Sequence, residues 1–313
     1  MTTPTTADRG FALVAALLVL GLLGLIGAEF SYSMRLEASA ARAYKEGIAA
    51  TYLAEAAVEQ ATREIAADFA FVAVDDNGIL TFYARDGKAL PRLPRTNVPF
   101  GTMGMFSYRI SDEEARLNLN LAPPDRFDQL LQGLGLTKGD RDTINDSLQD
   151  WRDPNDEHRL NGAESDDYYL KLPVPYRAHN ANLESVSELL QIKGVTPEMY
   201  HGREGTRGLV DLVSVKTPST LININTARPE ILRAQGLSDA EVIDIVQSRH
   251  LGPFIQLPGR FGGRSLKVNT QTFRIEAQGV IDGVTRARVT AIIQKRQENA
   301  KQPMAVLEWS GIR

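Results

Sequence analysis

From Phe11 the chain runs Ala-Leu-Val-Ala-Ala-Leu-Leu-Val-Leu-Gly-Leu-Leu-Gly-Leu-Ile-Gly-Ala and meets no charge until Glu29. A helix rising ~1.5 Å per residue spans roughly 27 Å over this stretch, close to the hydrocarbon thickness of a bilayer. The segment therefore predicts a membrane-crossing helix from which the rest of the fold hangs. A secretory signal peptide would need a basic start, a shorter apolar run and a small-x-small cleavage site. Here the preceding residues hold one arginine, Arg9, balanced by Asp8. After Ala28 the stretch from Ser33 to Glu46 is rich in Ala, Glu and Arg and has no Pro, so it favours continued helix. The expected element is one long helix over 11–68, with its membrane part at 11–31. Leu53, Ala57, Ala61 and Ile65 mark the face it turns inward.

Arg9-Gly10 followed by Phe11-Ala-Leu-Val resembles the junction at which type IV pilins are processed. The resemblance implies a leader at 1–10 and cleavage by a prepilin peptidase between Gly10 and Phe11. It also implies N-methylation of Phe11. The fifth residue of a mature pilin is usually Glu, thought to pair with the amino terminus of a neighbouring subunit; here it is Ala15. A carboxylate within a bilayer is costly and is kept only where it has a partner. A subunit without it does not need that pairing: sequence drift is the plain reading, and a place at the filament tip, with no subunit above, is the sharper one. This absence resembles one minor pseudopilin class, type II secretion protein K (GspK).

Without that leader 303 residues are left, enough for more than one core beyond the helix. The whole chain, 24% charged and 43% hydrophobic, has an ordinary globular composition. A formal charge of −4 supplies no general attraction to nucleic acid or anionic lipid. With no cysteine the chain has neither disulfides nor thiolate metal sites.

Beyond the helix, Asp75-Asp76-Asn77-Gly78 predicts a turn, and Ile79 to Ala84 and Met103 to Ile110 predict strands on either side of a Pro-rich loop. Thr272 to Ile281 alternates, Asp282-Gly283 signals a hairpin, and Arg286 to Gln294 alternates again. Met304 to Trp309 can add an edge strand. Between these blocks the character is helical. The expected fold class is α+β: a pilin-like long N-terminal helix packed on an antiparallel sheet from 69–111 and 264–313, with a large all-helical insertion at 112–263. Strands on both sides must pair, so the insertion should leave and re-enter the sheet at neighbouring points.

The insertion contains an echo. Leu117-Asn-Leu-Asn-Leu-Ala-Pro-Pro returns as Ile222-Asn-Ile-Asn-Thr-Ala-Arg-Pro, and each is followed by an apolar helix, a Gly turn (Gly135, Gly236) and a second helix. A looser third unit runs from Leu183 through Val186, Leu189 and Leu190 to Gly194. Asn here is expected to cap a helix that Pro opens. Helix-hairpin-helix modules that bind DNA share this outline. Their Gly-turn amides meet phosphates with basic residues nearby, whereas Gly236 is followed by Ser238, Asp239 and Glu241. No nucleic-acid partner is expected.

The densest chemistry lies between Asp150 and Tyr169. Asp150, Asp153, Asp156, Glu157, Glu164, Asp166 and Asp167 fall there, together with Asn155, Asn161 and Gly162. So many carboxylates repel one another unless solvent or a cation neutralises them. Hard oxygens suit Ca²⁺ rather than Zn²⁺, although the spacing is not that of an EF-hand. A solvated acidic loop is the competing reading. The stretch Asp-Trp-x-Asp-Pro-x-Asp-Glu, with Gly-Ala-Glu and Tyr-Tyr after it, resembles the GspK insertion, and the resemblance implies calcium at Asp150, Asp153, Asn155, Asp156, Glu157, Glu164, Asp166 and Asp167. His158 and His179 lie near acids, but no His-Glu-x-x-His, Gly-x-Ser-x-Gly or P-loop pattern accompanies them. No enzymatic role is expected.

The GspK resemblance implies a minor pseudopilin that caps a pseudopilus and helps start its assembly, supporting export of folded proteins across the outer membrane. It implies a single-pass inner-membrane protein of a Gram-negative bacterium with its C-terminal domain in the periplasm. The implied partners are other minor pseudopilins, the major pseudopilin, the prepilin peptidase and the inner-membrane secretion platform. A tip minor pilin of a type IV pilus, serving adhesion or DNA uptake, is the alternative.

Overall fold

The apolar run and the Ala-rich stretch form one unbroken helix, α1 (Thr6–Ala66), in the computed structural model, which describes residues 6–75, 78–203, 205–296 and 303–311. Among the described residues its apolar stretch packs on no other element, and Leu13, Leu17, Leu20 and Leu25 are all exposed. Among the described residues this is the one helix long and apolar enough to cross a membrane, with a mean hydropathy of 2.7 in its most apolar window. Further along, the helix turns a stripe inward, where Ala50, Leu53, Ala54, Ala57, Ala61 and Ile65 are fully buried. The face expected from sequence is the face observed. Small side chains on this stripe let the helix backbone approach the sheet closely.

After α1 come β1 (Phe71–Val74) and β2 (Leu80–Tyr83), then β3 (Val98–Phe100) and β4 (Gly104–Asp112). The insertion follows: β5 (Leu117–Asn118), α2 (Pro124–Gly133), α3 (Lys138–Arg152), α4 (Pro197–His201), α5 (Leu209–Leu212) and β6 (Val213–Ser214). It closes with β7 (Ile222–Asn223), α6 (Pro229–Ala234), α7 (Asp239–Arg249) and β8 (Leu266–Lys267). The chain returns through β9 (Thr272–Ile281), β10 (Val284–Lys295) and β11 (Met304–Gly311).

The main sheet has the order β11-β10-β9-β4-β3, all antiparallel. β4 and β9 lie side by side, with Tyr108 opposite Ala277, so the insertion leaves and re-enters at adjacent strands. The β9–β10 hairpin turns on Asp282 and Gly283, with φ of 51° and 77°, the left-handed pair that an Asp-Gly turn supplies. The final segment is the expected edge strand. The extended stretch after Ile79 does not join this sheet, because β2 pairs with β1 in a separate hairpin that the sequence pattern did not announce. Within the turn expected at Asp75 to Gly78, Asp76 and Asn77 lie outside the described residues, as do leader residues 1–5.

Two hydrophobic cores result. One joins α1 to the sheet through Phe82, Phe106, Phe273 and Ile275, and the other fills the insertion around Phe127, Trp151, Tyr169 and Phe261. The insertion is not all-helical. β5 pairs with β6 and β7 with β8 in short parallel ladders, and Val186–Gln191 is a 3-10 turn rather than an α-helix. Through β8 the insertion also reaches Lys267, past the expected boundary at 263.

Candidate functional site

The acidic loop is held by a duplicated frame. In the first copy Asn118 Oδ1 accepts from the Asn120 amide, while Asn120 donates to the Leu183 and Val215 carbonyls and accepts from the Leu183 amide. In the second, Asn223 Oδ1 accepts from the Asn225 amide, while Asn225 donates to the Phe254 and Val268 carbonyls and accepts from the Phe254 amide. These asparagines therefore cross-link distant backbone rather than capping helices. The N-caps of α2 and α6 are Pro123 and Arg228, with no side-chain bond, and Pro124 and Pro229 open the helices as expected. Each copy ends in an arginine that ties its last helix back to the turn that follows its first strand: Arg152 to the Leu119 and Asn120 carbonyls, Arg249 to those of Ile224 and Ala227. Gly135, Gly194 and Gly236 have φ of 83°, 90° and 79°, a left-handed backbone that glycine adopts freely.

Asp150 and Trp151 stand on the last turn of α3, so the frame aims them at the loop. Trp151 is buried edge-on to Tyr169 and Tyr176, and its Nε1 donates to Glu188 at 3.1 Å. Asp150 is fully buried and accepts from Arg159 Nη1 at 2.6 Å and from the Ala163 amide at 3.0 Å. The same Nη1 reaches Asp153 at 2.7 Å, so one guanidinium serves as cation for two carboxylates. Gly162 permits this closure, since a Cβ there would lie 1.8 Å from Asp150 Oδ2.

The other candidates separate. Asn155 bridges Asp153 and the Glu157 amide, Asp156 accepts from Asn180, and Asp167 accepts from the Glu164 amide and faces His158 at 3.4 Å. Glu157 and Asp166 are exposed. Among the described residues no three acidic or histidine side chains converge as metal ligands. Glu164 carries the unmet demand. It is 2% exposed and its Oε1 has no hydrogen-bond partner. Burial, reinforced by Asp150, Asp153 and Asp156, pushes its carboxyl up to about 7. A hard cation beside Glu164 would answer both the orphaned oxygen and the surplus of negative charge, so Glu164 is the one candidate whose chemistry asks for calcium.

The raised Glu164 value sets a pH dependence. The folded state keeps this proton through a range where the unfolded chain has released it. The stability it contributes is full below about 4.5 and is lost as pH rises through about 7. Glu164→Gln is expected to flatten the fall in melting temperature between pH 5 and 8 in chelator. Asp112, pushed up to about 6 by its burial, leaves a residual slope of the same sign. A wild-type slope in the variant contradicts the assignment.

A second polar cluster had no sequence signal. Asp112, Glu113 and Glu114, where β4 passes into the insertion, are all buried. Asp112 accepts from Asn223, Thr226 and Thr270 and from the Glu114 amide. Glu113 takes a two-pronged bond from Arg274 at 2.8 Å on both arms, and Glu114 pairs with Lys267. This joint locks the second copy and its return strand against β4 and β9. Their partners lie over a hundred residues away, which is why charged residues in a row gave no hint of burial.

Of the N-terminal candidates, Gly10, Phe11 and Ala15 all lie within α1; Phe11 is exposed and Ala15 partly so.

A helix apolar in its first half and sheet-bound in its second, on an antiparallel sheet interrupted by a duplicated insertion, defines a pilin-like subunit. Residues 110–203 match the family model described as type II secretion system (T2SS), protein K. The type II secretion system protein K of Pectobacterium carotovorum subsp. carotovorum is 32% identical over 161 residues, covering 51% of this chain and 46% of that protein. The Aeromonas hydrophila protein of that name is 24% identical over 327 aligned positions, covering 93% of this chain and 94% of its own length. The chain thus spans about half of the first relative and nearly all of the second. A chain in the crystal structure of the GspK-GspI-GspJ complex from enterotoxigenic Escherichia coli shares the fold. Its TM-score is 0.57 at 20% identity, over 71% of this chain and 84% of that one. Residues 110–203 thus carry the type II secretion system protein K domain, and the chain resembles proteins of that name over most of its length.

Proposed function

We propose that this protein is a minor pseudopilin that sits at the tip of a secretion pseudopilus and helps begin its assembly, so that folded proteins are exported across the outer membrane. The observation that carries this reading is the free apolar half of α1, without a carboxylate from Phe11 to Ala28 and with Ala15 partly exposed within it. Such a helix inserts among neighbouring helices in a bilayer and asks for no charged partner above it. The solved relative is a complex with GspI and GspJ, and we assign counterparts of those two subunits to this chain as its partners. The major pseudopilin, the prepilin peptidase and the inner-membrane platform complete the set, with the insertion on the periplasmic side. Copurification with pseudopilins and loss of secretion on deletion are the expected results. Loss of twitching or DNA uptake with secretion intact points instead to a type IV pilus tip. Purified protein from peptidase-competent cells should begin at methylated Phe11; a chain starting at Met1 removes the processing step.

Calcium belongs to the same proposal. Glu164 would be its anchor, further carboxylates of the loop would have to close on it as Arg159 yields part of its place, and the ion would supply the positive charge that the loop lacks. A ligand bound only by the folded state at a hundredfold its Kd adds about 2.7 kcal/mol, on the order of 5–10 °C for a unit of this size. Chelator is expected to lower the melting temperature by that amount, and Glu164→Gln to abolish most of the difference. A melting temperature indifferent to chelator ends the calcium reading.

A further inference from the structure

Where β4 meets the insertion, a cavity of about 290 Å³ is lined by Arg109, Arg116, Arg207, Arg228 and Arg249. Two of the five are occupied. Arg116 pairs with Glu113 and donates to the Val210 carbonyl, and Arg249 donates only to the Ile224 and Ala227 carbonyls. The Arg249 charge has no acid beside it, and burial alone lowers it to about 10. The side chains of Arg109, Arg207 and Arg228 make no hydrogen bond or ion pair among the described residues. They are close enough to disfavour one another's charge: burial pushes Arg228 down, and Arg207 and Arg109 push the same way.

The acids facing this group do not discharge it. Asp112 spends its oxygens on Asn223, Thr226 and Thr270. Asp211 also lines the cavity and with Glu230 favours the Arg228 charge, and Glu276 stands across the ladder from Arg109. Five lining arginines still outnumber the two lining carboxylates, Asp112 and Asp211, and the planar forks of guanidiniums in such surplus match oxyanions in two-pronged fashion. A volume at the lower limit of ligand sites, about 300 Å³, suits one phosphate or one carboxylate group rather than a cofactor.

We propose that this cleft is an oxyanion site, formed by Arg207 and Arg228 of the insertion with Arg109 of β4, which takes a phosphate or a carboxylate between sheet and insertion. The inference stands on these side chains and is independent of the secretion reading. An anion bound there bridges β4 and the insertion, and so stiffens their relation.

The test is a titration of the full-length protein in detergent with inorganic phosphate, at constant ionic strength against chloride, read by calorimetry and melting temperature. Phosphate is expected to bind and to raise the melting temperature. Arg207→Gln and Arg228→Gln, at exposed and half-exposed positions where folding tolerates them, should each weaken binding about tenfold. Arg260→Gln, paired with Asp244 elsewhere, should bind as the wild type does. A Glu-rich peptide that displaces phosphate assigns the site to a protein carboxylate; phosphate that the peptide does not displace assigns it to a free anion. Failure of both probes to bind above chloride, or undiminished binding in the two glutamine variants, overturns the proposal.

Discussion

Replacing Glu113 with alanine is expected to cost about 3–5 kcal/mol, the range for removing one partner of a buried ion pair. Its carboxylate is fully buried, while the side chains of Arg274 and Arg116 are 12% and 11% exposed. Burial opposes the Glu113 charge, but Arg116 and Arg274 outweigh it and hold the carboxyl below its usual range. Truncation leaves two guanidiniums in a place too dry to solvate them. The insertion and the sheet have separate cores, so the joint should loosen while each core survives. In a Trp309→Phe background, denaturant melts followed by Trp151 fluorescence and by backbone circular dichroism should then cease to coincide. A loss under 1 kcal/mol, as for an exposed pair, contradicts this account.

The second large effect is expected at Gly279. A Cβ there would fall 1.9 Å from the Ala50 carbonyl oxygen and 2.9 Å from its Cα. These are helix backbone atoms, which cannot swing aside as a side-chain end would. Gly279→Val is therefore expected to lift α1 from β9 and to lose about 3 kcal/mol or more, beyond the usual cost of overpacking. Gly279→Ala should already lower the melting temperature clearly. A neutral alanine variant would mean that the helix does not sit this close.

The elements legible in the sequence were those whose signal is periodic and local. The inward stripe of α1, the alternation of β9 and β10, and the Asp282-Gly283 turn each declare themselves within a dozen residues. The repeat of Asn118 and Asn120 at Asn223 and Asn225 was visible too, but not its purpose. Local chemistry suggested caps, whereas the amides reach backbone carbonyls tens of residues away. The two-residue strands β5 to β8 carry no periodicity at all. In the acidic loop, counting carboxylates missed that Arg159 already answers Asp150 and Asp153, and that Glu164 is the residue left wanting. The Asp112–Glu114 joint was hidden for the same reason as the strands: what makes it is apposition across the fold, which one stretch of sequence does not record.

The spacing of these contacts orders the events of folding. Asn118 waits for Thr217, 99 residues further on, and Glu113 waits for Arg274, 161 residues further on. During synthesis α1 is complete long before any strand that covers its stripe. Both repeats can close once Val268 has emerged, but β9 and β10 are still to come. A chain halted at that point would carry a finished insertion and a helix whose alanine face lies open to water and to other chains. The last forty or so residues decide whether that face is shielded, so early termination is more hazardous here than a lesion in the insertion itself.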